Sequence, residues 1–211
     1  MQDLDTVATA GRDALSLGVK GDNNSIIFNS IVMDDLRSVL QDEFSDKKYT
    51  VLLCGPRQND NENTKKIFEL LVSELEKQKI DLVLGGNEAG LGIDPDEAYP
   101  HVEEANYVRN SKCNSVIVFA SDCTTYSQLS LLTYAKTLTL NDSIDIVVVP
   151  NVSVLEEHPY ILTGPFKMVD NFGKVFELSK LNKEGVDDIV DRIKNRRMLF
   201  YQQRRGRKRA E

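Results

Sequence analysis

Four runs along the chain are apolar at nearly every position: YTVLLC (49–54), DLVLG (81–85), SVIVFA (115–120) and DIVVVP (145–150). Between them the apolar residues recur at helical spacing. In NENTKKIFELLVSELEKQK, Ile67, Leu70, Leu71 and Leu75 share one face and charges fill the other, and comparable helices can be drawn over 95–112 and 125–140. A strand without a polar face is buried on both sides, and amphipathic crossover helices are what bury it. The pattern therefore predicts a doubly wound α/β domain with a parallel sheet over residues 48–182.

The flanks read differently. Residues 1–47 hold a polar helix candidate over 3–17, the turn-rich GVKGDNNS, a short β-like IIFNSIVM and the helical DDLRSVLQDEF. With so few large apolar residues this extension is expected to pack on the main domain or on another chain. Residues 183–211 read as a final helix, KEGVDDIVDRIKNRRMLFYQQ, with Ile189, Ile193 and Leu199 among its apolar positions, followed by the basic tail RRGRKRAE.

In an open parallel sheet ligands bind at the carboxyl ends of the strands, so the chemistry is sought just after each aliphatic run. In CGPRQNDNENT (54–64), Cys54, Gly55 and Pro56 make a tight exit, either as a plain turn or as the floor of a site at the start of the next helix. The segment GGNEAGLGIDPDEAYP (85–100) is a long, Gly-rich acidic loop, in which Gly86 would let a ligand approach the backbone. Its Asp94, Asp96 and Glu97 are either sugar-binding or acid–base groups, or helix-capping acids around Pro95. Glu103 and Glu104 on the following helix read as a solvated face, with the alternative that one of them points toward Gln128.

The third segment, SDCTTYSQLSLLTYAK (121–136), places Asp122 and Thr124 to cap a helix beginning near Thr125, with Gln128 in its first turn facing the crevice of Gly55. Tyr126 either stacks on a base or fills space. His101 and His158 stand beside prolines without a second ligand at metal spacing, so no metal site is expected from them.

Composition narrows this only slightly. A 211-residue chain with 41% hydrophobic residues suits one sizeable domain with a short extension. The net charge of −7 argues against general nucleic-acid binding, yet nine Lys or Arg and one acid lie between Arg192 and Glu211, which favours a polyanionic partner for that end. No stretch is apolar enough to span a bilayer and no signal pattern opens the chain, so a cytoplasmic protein is expected. Cys54, Cys113 and Cys123 have no CxxC spacing and read as buried thiols.

Several elements together resemble the nucleoside 2-deoxyribosyltransferase-like superfamily, a flavodoxin-like neighbour of TIR domains that includes effectors of bacterial retron defence systems. They are the strand ending VLLCGP, the acidic loop, the strand SVIVFAS, the run Asp122-Cys123-Thr124-Thr125-Tyr126-Ser127-Gln128-Leu129-Ser130, and TGPFKMVDNFGK (163–174). The resemblance covers about residues 49–176. In the family pattern position 128 is a glutamate, and two glycines stand where this chain has Thr124 and Ser130.

That resemblance implies an N-glycosidase of NAD or a (deoxy)nucleotide in an anti-phage defence complex or homo-oligomer, working without a cofactor. A reverse transcriptase with its RNA–DNA hybrid would be the partner at the basic tail. Residue 128 would be the catalytic position, Asp94 or Asp96 would assist, and Cys54, Gly55, Pro56, Gly86, Asp122, Thr124, Thr125 and Tyr126 would bind substrate. An amide at 128 lacks the charge that stabilises an oxocarbenium-like transition state. The chain would then be an enzyme inactivated by substitution, or a natural non-catalytic nucleotide-binding or scaffolding module.

Overall fold

The structure, a computed structural model, describes residues 35–56, 60–85, 99–138, 144–150, 159–178 and 181–205. Gly86, Asp94, Asp96, Glu97, His158, the first 34 residues and the last six lie outside them.

All four aliphatic runs are strands: β1 (Thr50–Cys54), β2 (Asp81–Gly85), β3 (Ser115–Ala120) and β4 (Asp145–Pro150). β1, β3 and β4 are buried at every position, as their apolar character after a polar first residue requires. β2 is only partly buried because it is an edge. A fifth strand, β5 (Gly173–Val175), lies within the segment that carried no strand expectation. A Cβ on Gly173 would sit 1.9 Å from the Ile146 carbonyl oxygen, so only glycine lets this strand approach β4 so closely.

Every pairing is parallel and the order is β2-β1-β3-β4-β5, with Leu52 opposite Val83 and Val116, and Ile146 opposite Val116 and Gly173. This is the flavodoxin-like order of a doubly wound α/β sheet, the fold class predicted from the sequence.

The helices are α1 (residues 35–43), α2 (Glu62–Lys77), α3 (Pro100–Arg109), α4 (Cys123–Leu138), the short α5 (Pro159–Ile161), α6 (Lys167–Phe172) and α7 (Lys183–Arg205), with a π-helical turn, Leu162–Phe166, joining α5 to α6. They lie on both faces of the sheet. Leu52, Cys54, Val116, Val118, Ile146 and Val148 form one core layer with Val108 of α3, Leu129 and Leu132 of α4, and Val169 of α6. Alternate strand residues point the other way, where Phe68 of α2 meets Phe119 edge-on at 5.5 Å.

On that second face Asp145, fully buried at the start of β4, accepts from Arg192 Nε at 2.8 Å and Nη2 at 2.6 Å, and pairs with Arg196 at 3.0 Å. Arg197 donates to the carbonyls of Ser45 and Gln78. Three of the nine positive charges counted toward a basic carboxyl-terminal segment are thus turned inward as staples of α7.

The chain divides into two compact units, Ser45–Arg197, which contains the sheet, and Met1–Phe44 with Met198–Glu211. In the smaller unit the rings of Phe44 and Tyr201 stack at 6.0 Å, and Phe200 meets Tyr201 edge-on. Among the described residues no helix is long and apolar enough to cross a membrane.

Candidate functional site

The order β2-β1-β3 makes the gap between β1 and β3 the switch point of the sheet. The chain leaves β1 for α2 on one face and β3 for α4 on the other, so their exit loops diverge over the carboxyl ends of the strands. Cys54, Gly55 and Pro56 line one side of this opening, and Ser121 and Asp122 the other. Ser121 Oγ donates to Asp60 Oδ2 at 2.9 Å and ties the two exit loops together.

Each flanking helix is closed by its own residues. Asn61 caps α2, its Oδ1 accepting from Thr64 N at 2.8 Å and from Thr64 Oγ1 at 3.0 Å. At α4, Asp122 Oδ1 accepts from Thr125 N at 2.7 Å, and Thr125 Oγ1 accepts from the backbone N–H groups of Ser121 at 2.9 Å and Asp122 at 3.0 Å. This reciprocal cap starts the helix at Cys123, two residues earlier than the sequence suggested, and puts Gln128 in the second turn.

Behind the switch point lies a buried polar pair. Gln128 Nε2 donates to Glu104 Oε2 at 2.6 Å, and the two residues are 8% and 3% exposed. A charge so buried must be hydrogen-bonded, and the amide meets part of that need. The carboxylate reaches the sheet edge because β2 ends in glycine: a Cβ on Gly85 would lie 3.0 Å from Glu104 Oε1 and 3.0 Å from Cys54 Sγ. Gly55 is likewise covered, by the ring of Phe68, which a Cβ there would meet at 2.8 Å.

The structure therefore corrects the reading of Glu104 as a solvated residue. Its neighbour Glu103 is half-buried and accepts from Asn106. Glu104 lies four residues before buried Val108, on the inward stripe of α3, and that spacing was the sequence signal for it. Asp60, Ser121 and Gly85 also belong to the site without having been singled out.

Of the residues named from the sequence, Cys54, Gly55, Pro56, Asp122, Thr125 and Gln128 converge on the carboxyl ends of β1 and β3. Thr124 is exposed. Tyr126 is buried with its ring 6.3 Å from that of Phe166, and burial pushes its hydroxyl up to about 12. Cys54 and Cys113 are buried thiols, and burial pushes Cys113 up to about 12. Cys123 departs from the expectation and is exposed, because it opens α4 on the solvent side. Among the described residues no group of three His, Cys, Asp or Glu could hold a metal ion.

No family model matches the chain, and no curated protein matches it. Solved structures do. Diflavin flavoprotein A3 from Nostoc sp. aligns at 8% identity and a TM-score of 0.44, over 77% of this chain and 100% of that one. The flavodoxin-like domain of a Synechococcus sp. protein aligns at 9% identity and a TM-score of 0.39, over 73% and 99%. The neighbours found are flavodoxin-like by name and not nucleoside 2-deoxyribosyltransferase-like or TIR-like, which corrects that resemblance. They also correct the expectation of a cofactor-free protein, because one neighbour is a flavoprotein by name. At this identity they describe a fold outline and assign no flavin to this chain.

Strand order alone marks the β1/β3 opening as the place where a flavodoxin-like sheet would hold a flavin mononucleotide. Around this opening the described residues cap themselves in part: the Thr64 N–H goes to Asn61, the N–H groups of Ser121 and Asp122 go to Thr125 Oγ1, and the Thr125 N–H goes to Asp122.

Proposed function

We propose that this chain is a binding module for a small molecule of the nucleoside or nucleotide class, held at the β1/β3 switch point, with Glu104 as its central polar contact. The observation that carries the reading is the 2.6 Å hydrogen bond between Gln128 and Glu104, in which a buried carboxylate is held in place at the carboxyl end of the sheet. Burying a charge this deeply costs stability, and such costs are common where a side chain serves a ligand. Carboxylates read ribose hydroxyls and the amino groups of bases, both of which donate hydrogen bonds.

Isothermal titration of the full chain with a panel of nucleosides and nucleotides tests this. At least one compound should bind, and Glu104→Gln should weaken it at least about tenfold, the usual size of a lost hydrogen bond to a charged group. Equal affinity in the folded variant would remove Glu104 from the site.

Glu104 also favours a second reading, cleavage of the glycosidic bond. An oxocarbenium-like transition state needs a nearby negative charge, and Glu104 supplies from α3 the carboxylate that Gln128 lacks on α4. Chromatographic assay of free base released from nucleosides separates the readings: release by the wild type that disappears in Glu104→Gln supports catalysis, and binding without release leaves the module.

A further inference from the structure

Two helices of equal length cover opposite faces of the sheet, and their outer surfaces differ in kind. Of the six exposed residues of α2, five are charged: Glu62, Lys66, Glu69, Glu76 and Lys77. α4 also exposes six, Cys123, Thr124, Ser127, Tyr134, Thr137 and Leu138, and none is charged. Its single charged residue, Lys136, is buried, with Nζ 5.6 Å from the centre of the Phe172 ring. In a chain with 28% charged residues, a charge-free outer face has the composition of an interface core, where charges are depleted and tyrosine is enriched.

Exposed apolar surface is concentrated on the same side. Among the described residues of Ser45–Arg197, every exposed large apolar side chain except Leu84 stands on α4 or on the elements beside it. Tyr134 is 59% exposed and Leu138 49%, with Tyr99 and Val102 at the start of α3, and Tyr160 and Leu162 on α5 and the π turn. The Glu104–Gln128 hydrogen bond ties α3 to α4, and the contact of Tyr126 with Phe166 ties α4 to the π turn, so these elements form one surface. Its hydroxyls need little from water. Ser127 donates to the Cys123 carbonyl at 2.8 Å, Ser130 to that of Tyr126 at 2.8 Å, and Thr137 to that of Tyr134 at 2.7 Å. Groups already bonded to their own helix can be covered without leaving a donor stranded.

We infer that this face docks a second copy of the chain, with two α4 helices antiparallel across a two-fold axis near Leu131. The order of side chains along α4 is self-complementary in that arrangement. Small residues, Thr124 and Ser127, occupy its first half and large ones, Tyr134 and Leu138, its second, at the three- and four-residue spacing of one stripe. The two-fold puts Leu138 of each copy beside Thr124 of the other, and Tyr134 beside Ser127, so each large side chain meets a small one. With no charge on the stripe, two identical surfaces bring no like charges together. Helices pack about 8–10 Å apart, so α4 with a neighbour on each side offers a surface about 24 Å long and roughly 25 Å wide, the scale of the ~800 Å² per partner that a standard interface buries.

Sedimentation velocity and light scattering of the full chain test this. The mass of two chains is expected at tens of micromolar. Tyr134→Arg, a charge at an exposed position of the stripe, should weaken the dimer at least about tenfold while the circular dichroism spectrum stays unchanged. Orientation has its own readout. Position 138 lies about 22 Å along α4 from Cys123 of the same chain but beside Cys123 of the other copy. Mild oxidation of Leu138→Cys should therefore join two chains through the exposed Cys123, whereas the wild type, with its two Cys123 at opposite ends of the contact, should stay unlinked. A wild type that remains a single chain, a dimer indifferent to Tyr134→Arg, or a Leu138→Cys dimer that oxidation leaves unlinked would each overturn the inference.

Discussion

Replacing Gln128 by glutamate puts a second carboxyl group where an amide now donates to Glu104 Oε2 at 2.6 Å. Both side chains are buried between α3 and α4, so neither reaches bulk water without disturbing the packing. If the two groups retreat to about 4 Å, their full charges still repel by about 4 kcal/mol at an effective dielectric constant near 20. Taking up one proton avoids the repulsion, at about 1.4 kcal/mol for each pH unit above an ordinary glutamate value of about 4.3. That route costs about 3.7 kcal/mol at pH 7 and about 1 kcal/mol at pH 5. The variant pair therefore titrates at a higher pH folded than unfolded. Its stability is intact below about pH 4.3 and is lost as the pH rises through the raised folded value. Urea unfolding of wild type and Gln128→Glu should show a deficit near 4 kcal/mol at pH 7 that shrinks by about 2.7 kcal/mol at pH 5. A deficit equal at both pH values, within about 0.5 kcal/mol, would mean that the two side chains do not meet.

Two further outcomes follow from other parts of the fold. Asp145→Asn leaves Arg192 and Arg196 without their shared counter-charge; because both arginines keep some solvent access, the loss in urea unfolding should fall near the lower end of the range for broken buried pairs, about 3 kcal/mol, and a loss under about 1 kcal/mol would show that α7 is held otherwise. Burial pushes Cys113 from 9.0 up to about 12, so its contribution is complete below pH 9 and lost as the pH rises through 9 toward 12. Stability should therefore fall less steeply in Cys113→Ala over that window, by up to about 1.4 kcal/mol per pH unit, and parallel slopes would contradict the burial argument.

The sheet was legible because burial on both faces leaves an almost unbroken aliphatic run, and β1, β3 and β4 are buried at every position. β5 was not, for the opposite reason. It is three residues long, begins with a glycine required by the Ile146 carbonyl, and has Val175 as its one aliphatic residue. The start of α4 was misjudged by two residues because Asp122 and Thr125 cap each other, so the helix opens before the apolar periodicity does. Arg192 and Arg196 counted by composition toward a basic carboxyl-terminal end, but charge alone does not reveal that Asp145, 47 residues before Arg192, is buried and in need of partners.

The site failed to be legible at one residue for a reason that bears on its chemistry. In the sequence Gln128 reads as a missing carboxylate on the helix after SVIVFAS. In the fold the carboxylate is present on the adjacent helix, 24 residues earlier, and the amide is its partner. By polarity Glu103 and Glu104 read first as a solvated face, and Glu104 takes the alternative, pointing toward Gln128. Its place one turn before Val108 points it inward, and Gly85 clears the room it occupies. An amide beside a buried carboxylate keeps that carboxylate hydrogen-bonded without contesting its charge, which a glutamate at 128 would do. Gln128 is thus one of the groups that make a buried Glu104 tolerable, and a substitution at either position is to be judged together with the other.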